Sequence, residues 1–137
     1  MSFFRISEDA SGWDDEVLVL VARGEIDFAA SPQLRERIAE DMSAGRRRLV
    51  LDLSRVTFLD STAIGVLVGA AMRLREHGGG SLAVVCGEEN RHVLRTFDMA
   101  GVTSMVALYH SHEEARSALA VAVGVRRSSE QAVTGRD

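Results

Sequence analysis

The sequence predicts one α/β domain with a mostly parallel sheet and a single antiparallel edge strand. The chain has 137 residues, the usual length of one domain. Short apolar runs typical of buried strands alternate with longer segments of helical periodicity, which implies crossover connections between parallel strands. Because no internal repeat or long linker interrupts this alternation, we predict the order β-β-α-β-α-β-α-β-α.

The first two strands are expected to form a hairpin. Phe3–Ser7 is a short mixed run that suits an edge strand, and Val17–Ala22 is a continuous apolar run that suits a buried one. The sequence Gly24-Glu25-Ile26-Asp27 is expected to break the second strand.

A helix and a third strand follow. Ser31 and Pro32 are typical of an N-cap and a first helical position. Apolar residues recur every four positions as far as Met42, and Gly45 is expected to end the helix. The next strand is predicted at Leu49–Leu53, with a short turn after it.

The second half of the chain is predicted to alternate helix and strand. The order is helix Ser61–His77, strand Leu82–Cys86, helix Glu89–Phe97, strand Met105–Tyr109 and a last helix that begins at the capping box Ser111–Glu114. We expect the domain to span residues 3–123 and the polar tail at residues 124–137 to be frayed.

The composition argues against several classes of protein. All 16 basic residues are arginine, so the chain lacks the lysine of a Walker A loop or a Schiff-base enzyme. The net charge of −4 disfavours nucleic acid as a partner. A lone cysteine, Cys86, cannot form an internal disulfide, which favours a cytoplasmic protein. No apolar run is long enough to predict a membrane span.

No residue set indicates catalysis, a metal site or a bound cofactor. The chain has no Gly-x-Ser-x-Gly elbow. His110 and His112 are close in sequence, but no third ligand stands at a recognisable spacing. The three glycines at 78–80 precede a strand, whereas a phosphate loop precedes a helix. We therefore expect a binding protein and not an enzyme.

The most informative residues lie where the third predicted strand leads into the longest helix. Asp60, Ser61 and Thr62 are all residue types that cap helices well. Gly65 and Gly69 follow one turn apart and would let another backbone approach closely.

The helix behind this cap is apolar almost all round. One face can pack on the sheet, and it consists of Ile64, Leu67, Val68, Ala71 and Leu74. Ala63, Val66 and Ala70 are then expected to point elsewhere. Such surplus apolar surface beside a hydroxyl cap predicts a docking site for a partner.

The run from Leu49 to Gly69, with its Asp60-Ser61-Thr62-x-x-Gly65 signature, resembles the bacterial anti-sigma factor antagonist family, whose fold is the STAS domain. Gly24-Glu25-Ile26-Asp27 and Phe97-Asp98-Met99-Ala100-Gly101 are similar to flanking segments of that family. The resemblance covers roughly residues 3–123. It departs at Ala63, where the family commonly has glycine.

The resemblance implies a phosphorylation switch at Ser61. In the family, an anti-sigma factor that is also a serine kinase phosphorylates the corresponding serine, and a phosphoserine phosphatase resets it. The unphosphorylated form binds the anti-sigma factor and frees the sigma factor, whereas the phosphorylated form cannot bind. Thr62 is the competing acceptor. The implied partner-binding residues are Glu25, Asp27, Asp60, Ser61, Thr62, Ile64 and Gly65.

A second hypothesis keeps the fold and changes the partner. Similar domains act as subunits of transport ATPases or of stress-sensing complexes, where the serine is not part of a phospho-switch. The intact Asp60–Ser61 pair favours the first hypothesis.

Overall fold

The computed structural model describes residues 3–9, 13 and 16–119. The helices and strands are β1 (Phe4–Glu8), β2 (Val17–Ile26), α1 (Ser31–Ser43), β3 (Arg48–Leu59), α2 (Ser61–Glu76), β4 (Ser81–Val85), α3 (Arg91–Ala100) and β5 (Ala107–Tyr109). A last helix, α4, occupies residues 112–119. The predicted order of elements is confirmed. The expected tail at residues 124–137 lies outside the described residues.

The five strands form one sheet in the order β1-β2-β3-β4-β5. β1 is antiparallel to β2, and every other neighbouring pair is parallel. The predicted mostly parallel sheet with one antiparallel edge strand is therefore confirmed. Its parallel strands are joined through helices, as crossover connections require.

Helices cover the two faces of the sheet unequally. The face that we call the helical face carries the main core, in which Leu34 of α1, Leu67 of α2 and Phe97 of α3 are all fully buried. The opposite face, here called the second face, carries a smaller cluster that includes Val19 of β2 and Ala115 of α4. Among the described residues, no helix is long and apolar enough to cross a membrane.

β2 and β3 are longer than predicted. β2 continues through Gly24-Glu25-Ile26, and β3 continues to Leu59, where a turn was expected. The expected break and the expected turn are therefore wrong. Instead, the register between the two strands shifts after Val21 and again after Gly24, so the irregular residues stay within the sheet. Gly24 has a φ of +96° and lies against the backbone of Phe3, where a Cβ would not fit.

The start of α1 differs from the prediction. The helix has Ala30 as its N-cap and begins at Ser31, so Ser31 is not the cap. Asp27 instead closes the turn before the helix, since its Oδ1 accepts a hydrogen bond from the Ala30 amide at 2.9 Å. The Ser31 hydroxyl donates to the Asp27 carbonyl at 2.9 Å. These local bonds of Asp27 and Ser31 hold the turn before α1 and leave Ser31 inside the helix.

Candidate functional site

The candidate site lies at the edge of the sheet where the parallel strands β2 and β3 both end. Ile26 and Leu59 are paired across these strands. The residues that follow, Asp27 and Asp60, therefore leave the sheet side by side, at about the 4.8 Å spacing of neighbouring strands. The Asp60 amide also donates to the Ile26 carbonyl at 3.3 Å. The pairing thus brings together two acidic residues that are 33 positions apart.

Asp60 caps α2. Its backbone is extended, and its Oδ1 accepts a hydrogen bond from the Ala63 amide at 3.1 Å. This bond satisfies one of the free amides in the first turn. The capping role predicted for this junction is confirmed, with Asp60 as the residue that performs it.

Ser61 is the first residue of α2 and is exposed. Its hydroxyl makes no hydrogen bond with any residue in the described part of the chain. It therefore stands accessible at the positive end of the helix dipole, where an anion is favoured. Thr62, the competing acceptor, is half-buried.

Two acidic residues, Glu25 and Asp27, lie at the end of β2, beside the strand that leads to Ser61. Glu25 lies opposite Phe58 in the sheet and, like Asp27, is half-buried. Within the described ranges, neither of these carboxylates nor that of Asp60 takes part in an ion pair. Among the described residues, no basic side chain therefore pairs with the carboxylates at this edge of the sheet.

Two exposed aromatic residues at this edge were not predicted from the sequence. Phe58, three residues before Ser61, is 41% exposed, and its ring stacks on that of His92 with 5.3 Å between centroids. Phe28, directly after Asp27, is 77% exposed. A large apolar residue beside an acidic turn was the available signal for Phe28. The stacking of Phe58 on His92 depends on how α3 packs against the sheet, and no local sequence pattern predicts it.

The outer surface of α2 differs from the prediction. Ala63, Val66 and Ala70 are buried in the core, so the expectation that they point away from it is wrong. The cause is α1, which packs beside α2 and covers a second side of that helix. The exposed part of α2 instead includes Gly65 and Met72, which line a shallow groove together with Gly69 and Arg35.

The remaining residue of the implied binding set is Ile64, which is 4% exposed and packs in the core. Gly65 is exposed, and a Cβ added to it would meet no atom within 4 Å beyond its own helix backbone and its chain neighbours. The structure thus places Glu25, Asp27, Asp60, Ser61 and Thr62 around one edge, with Gly65 one turn along α2. It leaves Ile64 beneath that surface.

The other chemically interesting residues lie apart from this edge. Burial, followed by the nearby carboxylates of Asp52 and Glu89, raises the pKa of the Cys86 thiol to about 11, which makes it a poor nucleophile. His112 Nε2 lies 2.6 Å from Asp52 Oδ2, whereas His110 Nδ1 lies 3.1 Å from the Cys86 carbonyl oxygen. The two histidines therefore have different partners. No group of three or more metal-binding side chains occurs among the described residues.

The fold and this edge define a small α/β domain that presents an exposed serine at the start of its second helix. The STAS domain family matches residues 13–115, so the chain belongs to that family. This finding confirms the resemblance stated for the sequence.

Known relatives agree with this assignment. The chain is 31% identical over 109 residues to BtrV of Bordetella bronchiseptica, covering 80% of this chain and 91% of BtrV. It is similar to an anti-sigma factor antagonist from Mycobacterium paratuberculosis, with a TM-score of 0.74, 25% identity and coverage of 85% of this chain and 93% of that one.

The fold is also that of the anti-sigma factor antagonist SpoIIAA. Its unphosphorylated form matches with a TM-score of 0.66 and 22% identity over 85% of this chain and 96% of SpoIIAA. Its phosphorylated form matches with a TM-score of 0.59 and 22% identity, covering 85% of this chain and 99% of SpoIIAA.

Proposed function

We propose that this protein is an anti-sigma factor antagonist, which binds an anti-sigma factor and thereby releases a sigma factor in the cytoplasm. The similarity to the antagonist from Mycobacterium paratuberculosis supports this proposal. So does the position of the Asp60-Ser61-Thr62-x-x-Gly65 signature at an exposed edge of the sheet. In this role the chain acts by binding, and it is a substrate of another protein's catalysis.

Ser61 is the proposed switch, and one observation carries that assignment. Its hydroxyl is exposed, has no hydrogen-bond partner among the described residues, and stands at the start of a capped helix. A kinase can therefore reach it without unfolding the domain. Thr62 is less accessible. The phosphorylated form of SpoIIAA, a protein of this fold, supports the proposal that such a domain can be phosphorylated.

Electrostatics explains how a phosphate on Ser61 would act. The phosphate adds about −1.5 to −2 charges at neutral pH. The N-terminus of α2 favours it by roughly 0.3–2 kcal/mol. Asp60 opposes it, as does Asp27. A doubly charged phosphate about 6 Å from one carboxylate is repelled by about 1 kcal/mol in water and roughly 5 kcal/mol at an effective dielectric of about 20.

The consequence differs between the free protein and a complex. In the free protein the phosphate on exposed Ser61 stays hydrated, so the repulsion is small and the fold is little affected. Inside a closed interface, water is excluded and the repulsion approaches the larger value. A loss of about 4 kcal/mol at the interface weakens binding about a thousandfold. Phosphorylation therefore acts on the complex and spares the domain.

The surface offered to the partner is acidic with aromatic residues at its rim. Glu25, Asp27 and Asp60 supply the negative charge, and Phe58 and Phe28 supply exposed apolar area. Such an edge fits a partner that presents arginine or lysine side chains around an apolar centre. An anti-sigma factor with serine kinase activity would place its nucleotide close to Ser61 in the same complex. A phosphoserine phosphatase would restore the binding form.

Incubation with candidate anti-sigma kinases and ATP, followed by intact-mass analysis, tests this assignment. The wild-type protein should gain one phosphate and a Ser61→Ala variant none. A Thr62→Ala variant, the matched control, should be modified like the wild type. Equal phosphorylation of the wild type and Ser61→Ala would remove Ser61 from the mechanism.

A further inference from the structure

The candidate site depends on two extra residues in β3. Val21 of β2 is paired with Asp52 of β3, and Ile26 of β2 is paired with Leu59. Five steps along β2, from 21 to 26, therefore correspond to seven steps along β3, from 52 to 59. The two register shifts between the strands are the places where the extra residues are inserted. We refer to this difference as the two-residue offset.

The two-residue offset decides which side chains meet where the strands end. With regular pairing from Val21 onwards, Asp27 would lie opposite Phe58. The offset instead brings Asp27 beside Asp60, and so beside the start of α2, where Ser61 is exposed. Because the offset is even, the alternation of inward and outward side chains is restored at the end of both strands. The site therefore exists only while the irregular part of β3 keeps its shape.

This irregular part of β3 lies beyond the end of β4. The pairing of β3 with β4 ends at Asp52 and Val85, so in the described part of the chain no strand covers that edge of β3 any further. A backbone carbonyl on such an edge needs another donor, because leaving it unpaired away from water costs free energy.

Asn90 supplies a donor for this edge with its side chain. Its Nδ2 lies 3.3 Å from the carbonyl oxygen of Leu53 and 2.7 Å from that of Val56, which flank the first register shift. The amide nitrogen carries two N–H groups, one for each carbonyl. The Asn90 side chain thus takes the place of a neighbouring strand. A second bond comes from the same loop, since the Gly87 amide donates to Ser54 Oγ at 3.2 Å.

The other end of the Asn90 amide holds α3. Its Oδ1 accepts from the Val93 amide at 3.4 Å and caps that helix. His92 lies in the capped first turn, and its ring stacks on that of Phe58 near the end of β3. One half-buried side chain therefore joins the irregular strand to the helix that supports an exposed aromatic residue of the site.

We propose that Asn90 is a positioning residue for the Ser61 site. It holds the two-residue offset, and through the offset it sets where Ser61 and Phe58 are presented to the partner. This inference rests on the proposed function, since Ser61 matters here as the residue that a kinase modifies. Asn90 acts through the backbone of β3 and takes no part in phosphoryl transfer.

Hydrogen exchange in the free protein tests the positioning role. Asn90→Asp keeps an oxygen that can cap α3 but removes both N–H donors, so the two β3 carbonyls lose their partner. The Asp60 amide, which donates to the Ile26 carbonyl, should then exchange about tenfold faster. The matched control is Val19→Ala, at a buried residue of the smaller cluster on the second face. It should speed exchange in the core strands and leave the Asp60 amide at its wild-type rate.

The kinetics of Ser61 phosphorylation measure the consequence for function. With an anti-sigma kinase that modifies the wild type, Asn90→Asp should lower kcat/KM about tenfold, chiefly through a higher KM, because the docking surface moves while the serine hydroxyl is unchanged. Val19→Ala should keep the wild-type kcat/KM. Urea unfolding of both variants establishes that they are folded.

An unchanged exchange rate of the Asp60 amide in Asn90→Asp would overturn the proposal. Equal acceleration in Val19→Ala would also overturn it, because a general loss of stability would then explain the effect. An unchanged kcat/KM for Asn90→Asp would mean that the offset does not set the position of Ser61. A wild-type protein that no candidate kinase modifies would refute the proposed function instead, and the exchange rates would then decide by themselves whether Asn90 holds this edge.

Discussion

Adding a negative charge at Ser61 should change the stability of the free protein by less than about 1 kcal/mol. In a Ser61→Asp variant, the helix N-terminus favours the new carboxylate by about 0.3–1 kcal/mol. Asp60, which remains bound to the Ala63 amide at 3.1 Å, opposes it. Two unit charges about 6 Å apart repel by about 0.7 kcal/mol in water, the relevant limit for an exposed side chain. The two effects nearly cancel.

A second substitution separates the two effects. Asn keeps the capping oxygen of residue 60 but removes its charge, so Asp60→Asn should cost little stability as a cap. In that background Ser61→Asp should become stabilising, and the difference between the two backgrounds should be about 0.7 kcal/mol. Urea unfolding of the wild type, both single variants and the double variant measures this coupling, which should shrink in high salt.

Two results would refute this reasoning. A loss of several kcal/mol for Ser61→Asp alone would mean that Ser61 is packed, contrary to its exposure. A coupling of zero at low salt would mean that the carboxylate of Asp60 is too distant to oppose a charge on residue 61. The electrostatic account of the switch would fail in either case.

Three further predictions concern other parts of the fold. Gly24→Ala should destabilise the protein by about 1–3 kcal/mol, because residue 24 has a positive φ and abuts the Phe3 backbone. Gly65→Ala, at a position with open space for a Cβ, should stabilise α2 by about 1 kcal/mol. Urea unfolding of both glycine variants measures these changes. Equal effects of the two substitutions would contradict the different surroundings of the two glycines. The Cys86 thiol, with a pKa raised from 9.0 to about 11, should resist a disulfide reagent at pH 8 until the protein unfolds. Because the thiol of the unfolded chain ionises at lower pH than the buried one, the free energy of unfolding should fall as pH rises from about 9 towards 11.

The order of elements could be predicted from local pattern because each strand and helix carries its own apolar periodicity. Val17–Ala22 is an apolar run, and Leu49–Leu53 is apolar except for Asp52, and both have the length that is typical of buried strands. The ends of β2 and β3 could not be predicted in this way. Their extension to Ile26 and Leu59 depends on shifts in pairing between two strands, which no single segment specifies.

The candidate site was partly accessible to sequence reasoning for the same reason. The cap at Asp60 and the exposed Ser61 follow from residue type and spacing. The burial of Ala63 does not, since it requires α1 to lie beside α2. The stacking of Phe58 on His92 likewise depends on where α3 docks. Local signals thus located the helix cap, and the family resemblance singled out Ser61 within it, whereas tertiary packing determines the surface around it.

The most direct measurement of the proposed switch is the affinity of the protein for its anti-sigma factor before and after stoichiometric phosphorylation of Ser61, determined by titration calorimetry. The unmodified protein should bind tightly, and the phosphorylated protein should bind about a thousandfold more weakly, equivalent to about 4 kcal/mol. Its unfolding curve should remain nearly unchanged. Equal affinity of the two forms would contradict the account.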